Sequence, residues 1–312
     1  MRNKSKFILI SAVVALAAGC KDNTTVLSEV KPLPHYPSAS GIEYLNNKIY
    51  IIGDDAKKLL VLDSNLNLID SVQLYSFAEK RIPKPVKPDL EAITVLRGNT
   101  LLLTGSGSSA PRRNIAWILD PATQQKDSIR LDSFYQRLSL NGIKELNIEG
   151  VTSVPGGFIL SNRGSKGYLK NHLIFAKNNF WERQSQTEIH TAFFGSNTDS
   201  AVFNGVSGLG YSAKTDMLLC TVSTEDTRNS IDDGAIGKSY LWLIKNITSK
   251  KRWKAINPDK IIDLEKTDAR FKGQKIESVC VTKETARNLY LLLAADNDNG
   301  SSTLFKMVVP KD

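Results

Sequence analysis

Five stretches of this chain share one layout. They are ASGIEYLNNKIYIIGDD (39–55), DLEAITVLRGNTLLLTGSGSS (89–109), NIEGVTSVPGGFILSNRG (147–164), GVSGLGYSAKTDMLLCTVSTED (205–226) and KIESVCVTKETARNLYLLLAADND (275–298). Each reads as a short strand of small residues, a turn, a longer strand rich in Leu, Ile and Val, and a polar loop. Aligned on the start of the pattern they carry Ser40, Glu91, Glu149, Ser207 and Glu277, at spacings of 51, 58, 58 and 70 residues. Self-similarity at that period marks a four-stranded unit repeated around an axis, and so predicts an all-β, five-bladed β-propeller.

The outer strands follow. KLLVLD (58–63) and LIDSVQL (68–74) complete the first unit, NIAWILD (114–120) and QKDSIRL (125–131) the second, HLIFAK (172–177) and EIHTAFF (188–194) the third. The fourth takes SYLWLIK (239–245) and a weaker KIIDLEK (260–266). The fifth has STLFKMVV (302–309) and then the chain runs out, one strand short. LSEVKPL (27–33) has the polar–apolar alternation of the other outermost strands, with Pro32 near its end as an edge strand tolerates. It is expected to pair with the last blade and close the ring. Six blades is the fallback count. A β-sandwich fits five aligned starts with a circular closure poorly.

The N-terminus sets the compartment. Arg2, Lys4 and Lys6 precede an apolar run from Phe7 to Ala18, too short to span a bilayer, and Ala17-Ala18-Gly19 lead into Cys20. A basic head, an apolar middle and a small-residue cleavage site read as a secretory signal over residues 1–19. A cysteine at that point resembles a bacterial lipoprotein box, with Cys20 as the lipidated residue, 20–24 as a tether and 25–312 as one propeller domain. The alternative is a plain signal peptide with an incidental cysteine. Lys21 in place of Asp favours the outer membrane, with the periplasmic and surface faces both open. The only membrane contact expected is the lipid.

Removing the three basic leader residues lowers the formal charge from +9 to +6. That balance suits anionic ligands, but no basic helix or stacking-aromatic motif supports nucleic acid. A monomer is expected. Cys220 and Cys280 are expected as buried free thiols, a disulfide being allowed by the compartment. His35, His172 and His190 are scattered, which argues against a zinc site or a Ser-His-Asp triad.

In a propeller the first residue of each innermost strand lies at one mouth of the central channel. Ser40, Glu91, Glu149, Ser207 and Glu277 then form a ring of oxygen-bearing side chains. Three carboxylates converging without a cation repel, and at least one must take a proton. No Lys or Arg stands in the aligned column. Ca²⁺ takes six to eight oxygen ligands in flexible geometry and answers the ring better than Mg²⁺. The alternative is five side chains solvated one by one.

At these residues the chain resembles the calcium-activated nucleotidases (apyrases), five-bladed propellers with a central calcium and a ring that runs Ser, Glu, Glu, Ser, Glu in the same order. SGIEYLNNKIYIIGDD is similar to the first blade of that family in its turn and its Asp-Asp end. The resemblance covers the inner strand pairs, about a third of the chain. It implies the fold, the metal and, more weakly, phosphoanhydride hydrolysis, with Arg163 as an anion contact. Three positions depart. Ala56 and Lys57 stand where the family has an arginine, Ala92 where it has an aromatic, and Asn162-Arg163 where it has paired arginines. The strand starts also resemble those of phytase-like and esterase-like bacterial lipoprotein propellers.

Five polar loops should share the ring's face: Asp54-Asp55, 104–114, 161–167, 223–234 and 295–302. Arg112, Arg113, Arg163 and Arg228 are candidate clamps for phosphate or carboxylate, though each taken singly is first a solvated surface residue. Asp55 and Glu225 are candidates to activate a metal-bound water. GSGSS lacks the lysine and helix of a phosphate loop, and DNDNG (296–300) reads as a turn. Two functions remain open. One is a calcium-dependent phosphohydrolase acting on an anionic small molecule. The other is a non-catalytic propeller that binds a ligand or a partner protein and uses calcium only to weld its ring.

Overall fold

The computed structural model describes residues 24–196, 203–225 and 236–311. The signal segment, Cys20 and Arg228 lie outside the described residues, as does the side chain of Glu225.

Among the described residues twenty-one strands make five sheets. The first strand, β1 (Val26–Leu33), is held back for the last blade. Blade one is β2 (Ala39–Leu45), β3 (Lys48–Gly53), β4 (Lys58–Leu62) and β5 (Leu68–Gln73), in that order from the axis outward. Blade two is β6 (Leu90–Val95), β7 (Leu101–Gly105), β8 (Ile115–Leu119) and β9 (Lys126–Arg130). A helix, α1 (Asp132–Leu140), leads to blade three: β10 (Ile148–Val154), β11 (Gly157–Asn162), β12 (Asn171–Lys177) and β13 (Ile189–Phe194). Blade four is β14 (Asn204–Ser212), β15 (Met217–Glu225), β16 (Ile236–Ile244) and β18 (Lys260–Asp263). Between its last two strands, β17 (Ala255–Ile256) leaves to join blade three as a fifth strand, parallel to β13. Blade five is β19 (Lys275–Glu284), β20 (Asn288–Asp296), β21 (Ser302–Pro310) and, outermost, β1. The chain is thus a five-bladed propeller, closed as expected. β1 runs antiparallel to β21 from Val26↔Val308 to Leu33↔Ser302.

The apolar runs of the second strands have a direct reason. Leu101, Leu102 and Leu103 are all fully buried, yet they point to opposite faces of one sheet. Leu101 and Leu103 pack in the cluster shared with blade one, and Leu102 packs in the cluster shared with blade three. Leu291 and Leu293 face blade four while Leu292 faces blade one. A blade is covered on both faces by its neighbours, so its middle strands lose the usual polar alternation. The five apolar clusters occupy the five boundaries between blades. The ring therefore closes by side-chain packing between blades five and one as well as by the strand exchange.

Local choices agree with this layout. The β2–β3 hairpin needs two residues with positive φ, and Asn46 and Asn47 supply them at 51° and 61°. Two outer elements differ from expectation. The proposed strand 260–266 stops at Asp263, whose side chain accepts from the Lys266 N–H and caps a short helix, α2 (Leu264–Thr267). Helix α1 has no counterpart among the expected elements. It buries Phe134, Tyr135 and Leu138 in the cluster between blades two and three.

Cys220 and Cys280 are buried and unbonded. Among the described residues no helix is long and apolar enough to cross a membrane.

Candidate functional site at the mouth of the channel

All five innermost strands carry a bulge near their first residue. The register breaks between Ala39 and Gly41, Leu90 and Ala92, Ile148 and Gly150, Val206 and Gly208, and Ile276 and Ser278. The residue skipped in each case is Ser40, Glu91, Glu149, Ser207 and Glu277. A bulge leaves one residue unpaired and re-aims its side chain. The five aligned residues are thus a structural set, repeated once per blade.

Each serine ties its strand to the next blade. Ser40 Oγ donates to the carbonyl of Leu90, and Ser207 Oγ to the carbonyl of Ile276 at 2.7 Å. The acceptors immediately precede Glu91 and Glu277. The glutamates feel one another: Glu149 raises the proton affinity of Glu91, and Glu277 that of Glu149. Burial is the larger cause in both. It lifts Glu91 well above the usual carboxylate range, helped by Asp89, Glu149 and Asp54, and pushes Glu149 to about 8.

Asp54 and Asp89 extend the ring. Oxygens of Asp54, Asp89 and Glu91 lie within 4.8 Å of one another. Asp54 leaves β3 with its N–H on the Ser38 carbonyl, and Asp89 sits in the left-handed region, φ 57°, just ahead of β6. Asp296 joins from the end of β20, its carboxyl pushed to about 8 by burial beside Asp298 and Asp54.

Cations interleave with these acids, and they come from outside the aligned column. Lys87 bonds Asp54 and lies 2.8 Å from Asp89. Against the pull of burial, Asp54, Asp89 and Glu91 keep its ammonium charged far above the usual lysine range. Arg113 Nη1 lies 2.7 Å from Asp89 and 2.6 Å from Ser108 Oγ. Lys275 Nζ is 3.1 Å from Glu277. Arg163 Nη1 is 3.9 Å from Glu149, whose Oε1 also accepts from the Asn147 amide. Gly205 lets Arg163 lie there, since a Cβ at that position would sit 2.4 Å from its Nε. Among the described residues the acids outnumber the cations: Asp54, Asp55, Asp89, Glu91, Glu149, Glu277 and Asp296 against Arg81, Lys87, Arg113, Arg163 and Lys275.

The candidate ligand and catalytic residues are sorted by this network. Arg113 and Arg163 are buried and turned onto carboxylates. Arg112 is exposed and donates to the Pro85 carbonyl. Asp55 is buried and paired with Arg81, Nε to Oδ2 2.5 Å, and burial with Asp54 raises its proton affinity. The loop of Ser106 and Ser108 holds Asp89 rather than an open cradle.

A family model described as "Family of unknown function (DUF6929)" matches residues 35–309. No curated protein sequence matches the chain. Among solved structures it is similar to the glutaminyl cyclase of Myxococcus xanthus, with a TM-score of 0.53 at 10% identity over 93% of this chain and 98% of that one. The virginiamycin B lyase of Staphylococcus aureus gives a TM-score of 0.41 at 11% identity, over 91% and 99%. The likeness to the glutaminyl cyclase concerns the fold alone.

Proposed function

This chain belongs to the family of unknown function DUF6929, and we propose that the mouth of its channel holds a calcium ion that binds a phosphorylated or other anionic small molecule. The observation that carries the proposal is the crowding of Asp54, Asp89 and Glu91, with oxygens within 4.8 Å, Lys87 between Asp54 and Asp89, and Arg113 on Asp89. Asp54 Oδ1 is buried and accepts no hydrogen bond among the described residues. Like charges at that range require a proton or a cation, and a buried bare carboxylate oxygen favours a cation.

The donors are hard oxygens, which select calcium or magnesium over zinc or copper. Their origin on two segments, Asp54 past the end of β3 and Asp89 with Glu91 at the start of β6, favours the ion with flexible coordination. Asp54, Asp89 and Glu91 would hold the ion, and the positive charge it brings would attract an anionic ligand. Arg112, exposed where Arg113 and Arg163 are used in holding the acids, is the arginine we assign to meet it.

A second reading, hydrolysis, rests on Asp55. Its Oδ1 is buried and accepts no hydrogen bond among the described residues, and its proton affinity is raised, as suits a group that takes a proton from water. The same proposal keeps the lipid anchor at Cys20 and an outer-membrane location, both resting on the leader.

Incubating the protein with nucleotides, phytate and sugar phosphates, in calcium and in chelator, tests this function. Calcium-dependent binding of one class supports it, and calcium-dependent turnover lost in Asp55→Asn supports hydrolysis. No binding in millimolar calcium overturns the ligand claim.

A further inference from the structure

Three residues beyond each bulge the inner strands form a second level of the channel. Glu43, Thr94, Thr152, Gly210 and Cys280 stand there, one from each blade, roughly 10 Å farther along at about 3.3 Å per residue. They wall a cavity of about 130 Å³. Its contents differ from those of the mouth. Glu43 is the one carboxyl group in its lining, and no Lys, Arg or His lines it.

Neutral groups surround that carboxyl. Glu43 Oε1 accepts from the Tyr44 N–H at 2.9 Å, and the Val95 backbone and the Thr94 hydroxyl also donate to the carboxyl. Thr94 Oγ1 accepts from the Ser153 N–H at 3.0 Å, which leaves its own proton to point at Glu43. These bonds favour the charged form, yet burial outweighs them and pushes the carboxyl to about 7. The other titratable groups in the lining keep their protons. Burial, with Glu43 beside it, holds Cys280 as a thiol, and burial with a hydrogen bond to Asp216 holds Tyr211 as a phenol. A carboxylate prearranged by three donors thus faces a polar cavity with no cationic side chain to answer it.

We propose that this lower level is a second cation site, for one monovalent ion such as sodium or potassium, with Glu43 as its anionic ligand. The Thr152 hydroxyl and water supply neutral oxygens. One negative charge is neutralised by one positive charge. A divalent ion would leave one positive charge uncompensated in a channel walled otherwise by neutral groups, which is unfavourable. The cavity is roughly four times the volume that liquid water gives each molecule, room for an ion and its remaining waters. A lone thiol and a lone carboxylate do not make a zinc or copper set. The inference does not rest on the calcium reading, since the two levels share no side chain.

The test is made in chelator at pH 8.5, which keeps divalent ions out of the mouth. Melting is compared in sodium, potassium, rubidium and tetramethylammonium chloride at equal ionic strength, and crystals grown in rubidium chloride locate the ion by its anomalous signal. The expected result is a melting temperature about 3 °C or more higher in at least one alkali chloride than in tetramethylammonium, with a rubidium peak beside Glu43. Glu43→Gln should abolish both while keeping its response to calcium. Should that variant not fold, Thr152→Val should weaken the alkali effect at least about threefold in midpoint concentration. Equal melting in all four salts with no peak beside Glu43 overturns the proposal, as does an unchanged alkali response in the variant that folds.

Discussion

The hydroxyl of Ser207 donates to the carbonyl of Ile276 at 2.7 Å, one residue ahead of Glu277. The contact crosses from blade four to blade five, and Ser40 makes the same contact with Leu90 from blade one to blade two. The serines of the ring are thus first of all cross-blade pins that fix where the following glutamate begins.

Ser207→Ala should accordingly lose about 1–3 kcal/mol of unfolding free energy, because the Ile276 carbonyl loses a donor in a buried place. Denaturant unfolding measures it. A change below about 0.5 kcal/mol would mean that the strand start is held by packing alone.

Asp89 is the acid on which two cations converge, Lys87 at 2.8 Å and Arg113 at 2.7 Å. Asp89 and Arg113 are buried. Asp89→Asn strands their charge, and breaking a buried pair in this way is expected to destabilise by about 3–5 kcal/mol. Thermal melting in chelator is the check. A variant as stable as the parent would show that water reaches these groups freely.

The closing strand is tested by truncation. Removing residues up to Leu33 takes away every ladder contact of β1 with β21, the buried Leu27 side chain and the Glu29–Lys306 pair. Melting should drop by several degrees, and the bared edge of β21 should aggregate on heating. Unchanged melting would reduce β1 to a tether.

The ring was legible because it obeys a repeat. Ser40, Glu91, Glu149, Ser207 and Glu277 hold one place in five similar strand pairs, and the same bulge recurs at each. The cations were not legible. Lys87 stands four residues before Glu91 and Lys275 two before Glu277, so aligning the blades puts them in no common column. The absence of Lys and Arg from that column left the ring seeming bare of counter-charge, and the fold supplies much of it from the flanks. Asp89 was hidden for the same reason, although its place at the head of the second repeat, two residues before Glu91, was a usable signal. Helix α1 escaped because its start has no side-chain cap, and its apolar residues Phe134, Tyr135 and Leu138 read alone as one short cluster. The reading of Lys260–Lys266 as one strand missed that Asp263 caps a helix, a local bond that ends the ladder.

Acidity provides a further check. Glu149 is pushed to about 8 in the folded chain, against an ordinary value of 4.5. Between those values the folded protein holds a proton that the unfolded chain has released, so unfolding free energy falls as pH rises. Without metal, melting should therefore decline from pH 5 to pH 8. Calcium displaces the proton and should flatten or reverse the slope. A decline of equal steepness with and without calcium would place the ion away from Glu149.

The most direct test is a calcium titration of the chelator-stripped protein, read by calorimetry and by metal analysis of the bound fraction. The account predicts one calcium per chain at the mouth and a melting temperature that rises as the ion is added. A site filled at a hundred times its dissociation constant contributes about 2.7 kcal/mol. Magnesium should do less, and Glu91→Gln should weaken the effect by removing one charge of the Asp54, Asp89 and Glu91 group. If stripped and calcium-loaded protein melt at the same temperature and no ion is found bound, the carboxylates are answered by Lys87, Arg113, Arg163, Lys275 and protons alone, and the claim of a metal at the mouth is contradicted.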